Sequence, residues 1–121
     1  MTQIKIVGDI WTGKYQPALT GNRIVDTALL TQFCMKLTAF LSQQNINLSV
    51  KVEREFSLSK IENDDTLFLI DANIADAFPQ NDLQSVNYLP IKHQDLLHGD
   101  PSNSYPSILE WLRVDLNLQQ S

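Results

Sequence analysis

The chain has one cysteine, Cys34, two histidines, His93 and His98, four glycines and nine Lys or Arg among 121 residues. Each scarcity excludes something. A lone cysteine closes no internal disulfide, and small extracellular domains more often carry paired cysteines, so the expected residence is cytoplasmic. One thiol and two histidines do not make the clustered ligand set of a structural zinc site. No uninterrupted apolar run approaches the roughly 18–20 residues of a membrane span, and residues 1–7 lack the basic leader and apolar stretch of a signal peptide. No membrane partner is expected. The basic residues are outnumbered by 14 acidic ones, for a net charge of −5. They also fail to cluster, since Glu53 and Glu55 interrupt Lys51, Arg54 and Lys60. Affinity for a phosphate backbone comes largely from Lys and Arg, so nucleic acid is not expected either. Neither the spaced glycines of a dinucleotide fingerprint nor a P-loop follows the first apolar run, and no cofactor is expected.

What remains is the composition of a folded protein: 43% apolar and 19% charged residues, in a length that suits one core and one domain over 1–121. Charge is unevenly placed. Residues 1–60 hold seven basic against four acidic groups and residues 61–121 hold two against ten, an asymmetry that can steer a charged partner.

Ile4–Val7, ending at Gly8-Asp9, reads as a first strand. Residues 9–25 follow with Gly13, Pro17, Gly21 and Asn22, a loop longer than most connections and therefore a candidate for function or mobility. Its Trp11 and Tyr15 either pin it to the body or meet a partner. Leu29, Phe33, Leu37 and Phe40 or Leu41 recur at three and four residues from Asp26 to Gln44, which predicts a helix capped by Asp26 or Asn22. Asn45 ends it by accepting a left-handed backbone. Cys34 beside that stripe reads as a core thiol.

From 46 to 58 the apolar residues Ile46, Leu48, Val50, Val52, Phe56 and Leu58 alternate with polar ones, only Arg54 breaking the row. That is a strand covered on one face, at a sheet edge or in an antiparallel region. Leu67-Phe68-Leu69-Ile70, bounded by acids, predicts a short central strand buried on both faces. Residues 72–78 suit one or two helical turns before Pro79. A strand over 87–91 either lies at an edge or ends early because of Pro90. Residues 92–103 read as polar turns anchored by Leu96 and Leu97, with both histidines in a polar loop. A last helix starts near Pro106. The order predicts a small single-domain α/β sandwich, with a mixed or mainly parallel sheet of four to five strands and helices packed on it.

Asp9 and Asp71 each follow a strand, where the ligand crevice of an open α/β sheet lies. If the two strands are parallel neighbours, these carboxylates are candidates for a divalent metal ion or a proton relay. Leu67–Asp71, then Tyr88–Lys92 and Asp95-Leu96-Leu97, resemble the bacterial response-regulator receiver domain in a third of the chain. The resemblance implies a phosphate-accepting Asp71, a contacting Lys92 and a metal-binding Asp9. The chain departs from that family in its single acid at Asp9, in the long segment before the first helix, and in the short interval from Asp71 to Ile91. It is not assigned to the family. Gly8-Asp9-Ile10 resembles the opening block of the GDS-type esterases and lipases, but Ile10 occupies the position of the nucleophilic serine and cannot attack a carbonyl.

With no complete set of reactive side chains in view, the leading expectation is a non-catalytic interaction protein: a small subunit, adaptor, or immunity or inhibitor protein. Its partner is a protein with a basic surface, steered by Asp64, Asp65, Asp76 and Asp82 and contacted by Trp11 and Tyr15. A homodimer through a sheet edge is a further expectation. The rival is a metal-dependent or phosphoacceptor signalling or enzyme domain using Asp9 and Asp71.

Overall fold

A computed structural model describes residues 3–8, 22–53, 66–78 and 86–120, with only the backbone of Arg23, Ala77 and 114–120. The apolar runs form strands β1 (Gln3–Val7), β2 (Ser49–Val52), β3 (Thr66–Asp71) and β4 (Tyr88–Ile91). The sheet order is β2-β1-β3-β4 and every pairing is parallel. Among the described residues four α-helices accompany them, α1 (Arg23–Gln43), α2 (Ala72–Ala77), α3 (His93–Leu97) and α4 (Tyr105–Gln120), with a 3-10 turn over Ser102–Ser104. The α/β architecture expected from the sequence is therefore present, with the four described strands all parallel.

Successive strand residues point to opposite faces, and β3 feeds a core on each. Ile4, Ile6, Leu67, Leu69 and Ile91 pack with Leu30, Phe33, Leu37 and Leu41 of α1, Leu96 of α3 and Ile108 and Leu112 of α4. On the other face Val7, Phe68 and Ile70 pack with Ile74 of α2 and Val86. Among the described residues that second layer covers only part of the sheet. Over β1 and β2 the same face carries Gln3, whose Nε2 donates to Thr66 Oγ1 at 2.8 Å, and Lys5, whose Nζ lies 3.0 Å from Glu53 Oε2. This one-sided cover explains the alternation beyond residue 46: Ser49 and Lys51 are exposed, while Leu48, Val50 and Val52 pack against the α1 core. Among the described strands β2 and the strand holding Pro90 are at the edges, one of the two alternatives expected for each, though β2 ends at Val52 and residues 54–58 lie outside the described set.

α1 begins at Arg23, earlier than its apolar stripe suggested, because Asn22 is the cap: its Oδ1 accepts from the amides of Ile24 and Val25 at 3.0 and 3.2 Å. Asp26 is buried instead. Asn45 follows with φ +59°, the left-handed conformation expected of it. Ile24–Gln43 is long and apolar enough to cross a membrane by length and composition alone; here Leu30, Phe33, Leu37 and Leu41 bury one side of it in the domain. Tyr105 stacks on Phe40 with ring centroids 3.7 Å apart and docks α4 on α1.

The segment expected to be only turns contains α3. Gln32 of α1 holds its end, with Nε2 donating to the carbonyls of His98 and Gly99 at 3.3 and 3.4 Å. Gly99 has φ +58°, a left-handed backbone that favours glycine, and a Cβ there would push the end of the Gln32 side chain aside.

The topology fixes where a site can form. The unit β1-α1-β2 moves one way across the sheet, β3-α2-β4 moves the other, and their helices lie on opposite faces. The chain thus diverges between β1 and β3, and their carboxyl ends border the crevice in which open α/β sheets bind ligands.

Candidate functional site at the strand carboxyl ends

Asp71 ends β3 and is 1% exposed. A carboxylate so buried is costly unless its oxygens are used, and both are. Oδ1 accepts from the Asn73 amide at 2.8 Å and caps α2. Oδ2 lies 2.6 Å from Nδ1 of His93. Asp71 is in register with Ile91 of β4, so the chain leaving β4 needs only Lys92 before His93 opens α3 beside the carboxylate. A carboxylate in its ionised form only accepts, so towards it Nδ1–H donates, and the neutral form of the ring then carries its lone pair on Nε2. The His93 side chain is 29% exposed.

This corrects the expectation for the histidines. His98 is exposed in the turn after α3, but His93 is a helical residue bound to a buried acid. The sequence signal was positional: Asp71 and Lys92-His93 follow two short strands that turn out to be paired in parallel. Lys92 is exposed and lines a separate polar pocket of about 200 Å³ with Asp95, Asn103 and Ser104. Asp95, nearly buried, accepts from Asn103 Nδ2 at 3.1 Å.

β1 and β3 are parallel neighbours, with Val7 beside Ile70, which was the condition set for Asp9 and Asp71 to meet. Asp9 itself lies outside the described residues, as do Trp11, Tyr15, Asp64, Asp65 and Asp82. Asp76 is described and is exposed on α2. Among the described residues no three His, Cys, Asp or Glu converge as a metal site.

A second surface runs between α1 and β2, where a groove of about 730 Å³ is lined by Cys34, Met35, Thr38, Ala39, Val50 and Val52. Met35 is 68% and Ile24 82% exposed. Cys34 is buried at the groove's inner wall, and burial pushes its thiol up to about 11. The fold favours the neutral thiol. That contribution to stability is whole below about pH 9 and is lost as the pH rises through about 11. At pH 8 the folded chain should hold roughly 100-fold less thiolate than the unfolded one. Ellman's reagent should therefore label it far more slowly without urea than with it; equal rates would contradict the core placement.

No family model matches the chain, and neither a curated protein nor a solved structure does.

Proposed function

We propose that the chain binds a small ligand in the crevice at the carboxyl ends of β1, β3 and β4, and that His93, oriented by Asp71, is the group that shares or exchanges a proton with it. The 2.6 Å contact between Asp71 Oδ2 and His93 Nδ1 carries this reading. A buried carboxylate on Nδ1 fixes the ring and its tautomer and leaves Nε2 to work, the division of labour in acid–base pairs and around histidine ligands. The reading keeps the sequence's interest in Asp71 but moves the chemistry to its partner. Oδ1 of Asp71 is held by Asn73 and Oδ2 by His93, so the acid orients its partner as well as the helix it caps. Imidazole nitrogen NMR tests the proposal with a panel of small carboxylates, phosphates and polyols. A compound that moves the His93 Nε2 signal saturably, and leaves His98 unmoved, supports it. A panel that moves neither, or both alike, removes it.

A specific observation favours a second reading, a non-catalytic interaction module of the small-subunit, adaptor or immunity-protein kind in the cytoplasm. Ile24, Val25 and Met35 are large apolar side chains exposed on α1, residues that suit partner contacts. Asp76 on α2 is exposed for steering a basic partner.

A further inference from the structure

Lys92 and Asp95 carry opposite charges and line the same small cavity, yet among the described residues no ion pair joins them. The cavity, of about 200 Å³, lies between the end of β4, α3 and the first turn of α4. Two of its polar residues are nine-tenths buried, Asp95 at 8% and Ser104 at 9% exposure. Asp95 Oδ1 accepts from Asn103 Nδ2 at 3.1 Å. Among the described residues nothing donates to Asp95 Oδ2, and nothing pairs with the Ser104 hydroxyl. Buried polar groups are as a rule hydrogen-bonded, and these two have only the cavity in which to find a partner. Lys92 and the Ser107 hydroxyl are exposed beside them. A second hollow of about 390 Å³ shares Leu89 and Ser107 with the first and adds the half-buried ring of Trp111, with Glu110 exposed beside it.

We propose that this cavity binds a free α-amino acid with an apolar side chain. The charges choose the ligand. A simple anion is repelled by Asp95, a simple cation by Lys92, and a neutral polyol leaves both charges without a counterpart. A zwitterion answers both. Its ammonium group donates to Asp95 Oδ2 and to the Ser104 hydroxyl, and its carboxylate accepts from Lys92 and the Ser107 hydroxyl, so that the two ends are held by charge-assisted bonds. Its side chain lies against Leu89 and Trp111. Space suffices for the head group, since a cavity of about 150 Å³ takes up benzene. The site is distinct from the crevice that holds His93 and does not rest on the reading given to it.

Titrating the full chain with leucine should move the Trp111 indole signal saturably in nitrogen NMR. Isoamylamine, which is leucine without its carboxylate, and isocaproate, which lacks the ammonium group, should each bind at least roughly tenfold more weakly. Lys92→Gln removes an exposed charge and leaves the core intact, and it should weaken leucine roughly tenfold. Asp95→Asn keeps an oxygen for Asn103 and should weaken leucine at least as much. His93→Ala should leave the leucine affinity unchanged. An unmoved Trp111 signal, an amine or carboxylate that matches leucine, indifference to either charge variant, or lost binding in His93→Ala would each overturn the proposal.

Discussion

Alanine at Phe33 should lower the stability of the fold by about 3–5 kcal/mol, read as a drop in the urea midpoint at unchanged slope. Phe33 is fully buried in the row Leu30, Phe33, Leu37 and Leu41 that α1 lays on Ile4, Ile6, Leu67 and Leu69. Removing its ring opens a void between helix and sheet that the β-carbons on either side cannot close. Domains of this size are stable by about 5–15 kcal/mol, so the variant should be close to unfolding. Met35, two residues along, faces out at 68% exposure, and Met35→Ala should stay within about 0.5 kcal/mol of the parent. The pair of variants reads the helix's rotation directly. Similar losses at both positions would mean that α1 buries a different stripe.

That rotation was legible in the sequence because a helix repeats its buried positions every three to four residues, and Phe33 and Leu37 stand in the row. Local pattern also revealed β3, whose Leu67–Ile70 run is apolar on both faces, and the left-handed backbone of Asn45. The candidate site was only half legible. Asp71 could be singled out from its place after a central strand. His93 could not, because its partner is 22 residues away and they meet through the pairing of Asp71 with Ile91. That pairing belongs to the topology and leaves no periodic trace. α3 was hidden for a related reason: five residues with only Leu96 fully buried are too short to show a stripe, and the hydrogen bonds from Gln32 that hold its end are long-range. The long alternation after Ile46 was real but said nothing of which face was covered. One face of β2 meets α1, and the other carries the Lys5–Glu53 pair.

Asp71→Ala should cost about 2–4 kcal/mol, combining a lost helix cap with a lost hydrogen bond to a buried charged group. The asparagine variant is the sharper experiment, because it separates the two oxygens' duties. Asparagine can still accept from the Asn73 amide with one oxygen and preserve the cap, so most of the stability should remain. Its amide nitrogen then faces His93 and donates where the carboxylate accepted. Nδ1 must become the acceptor, and the ring proton moves to Nε2. Imidazole nitrogen NMR should record that change of tautomer in Asp71→Asn, and any ligand that perturbs Nε2 in the parent should lose its effect as fully as in His93→Ala. A purely structural tie between β3 and α3 makes a different prediction. Asp71→Asn and His93→Ala would then lower stability together, with a coupling of roughly 0.5–3 kcal/mol in the double variant, while ligand response in the still-folded asparagine variant stayed at the parental level. The same two substitutions thus measure both what the pair contributes to the fold and whether its free nitrogen has work to do.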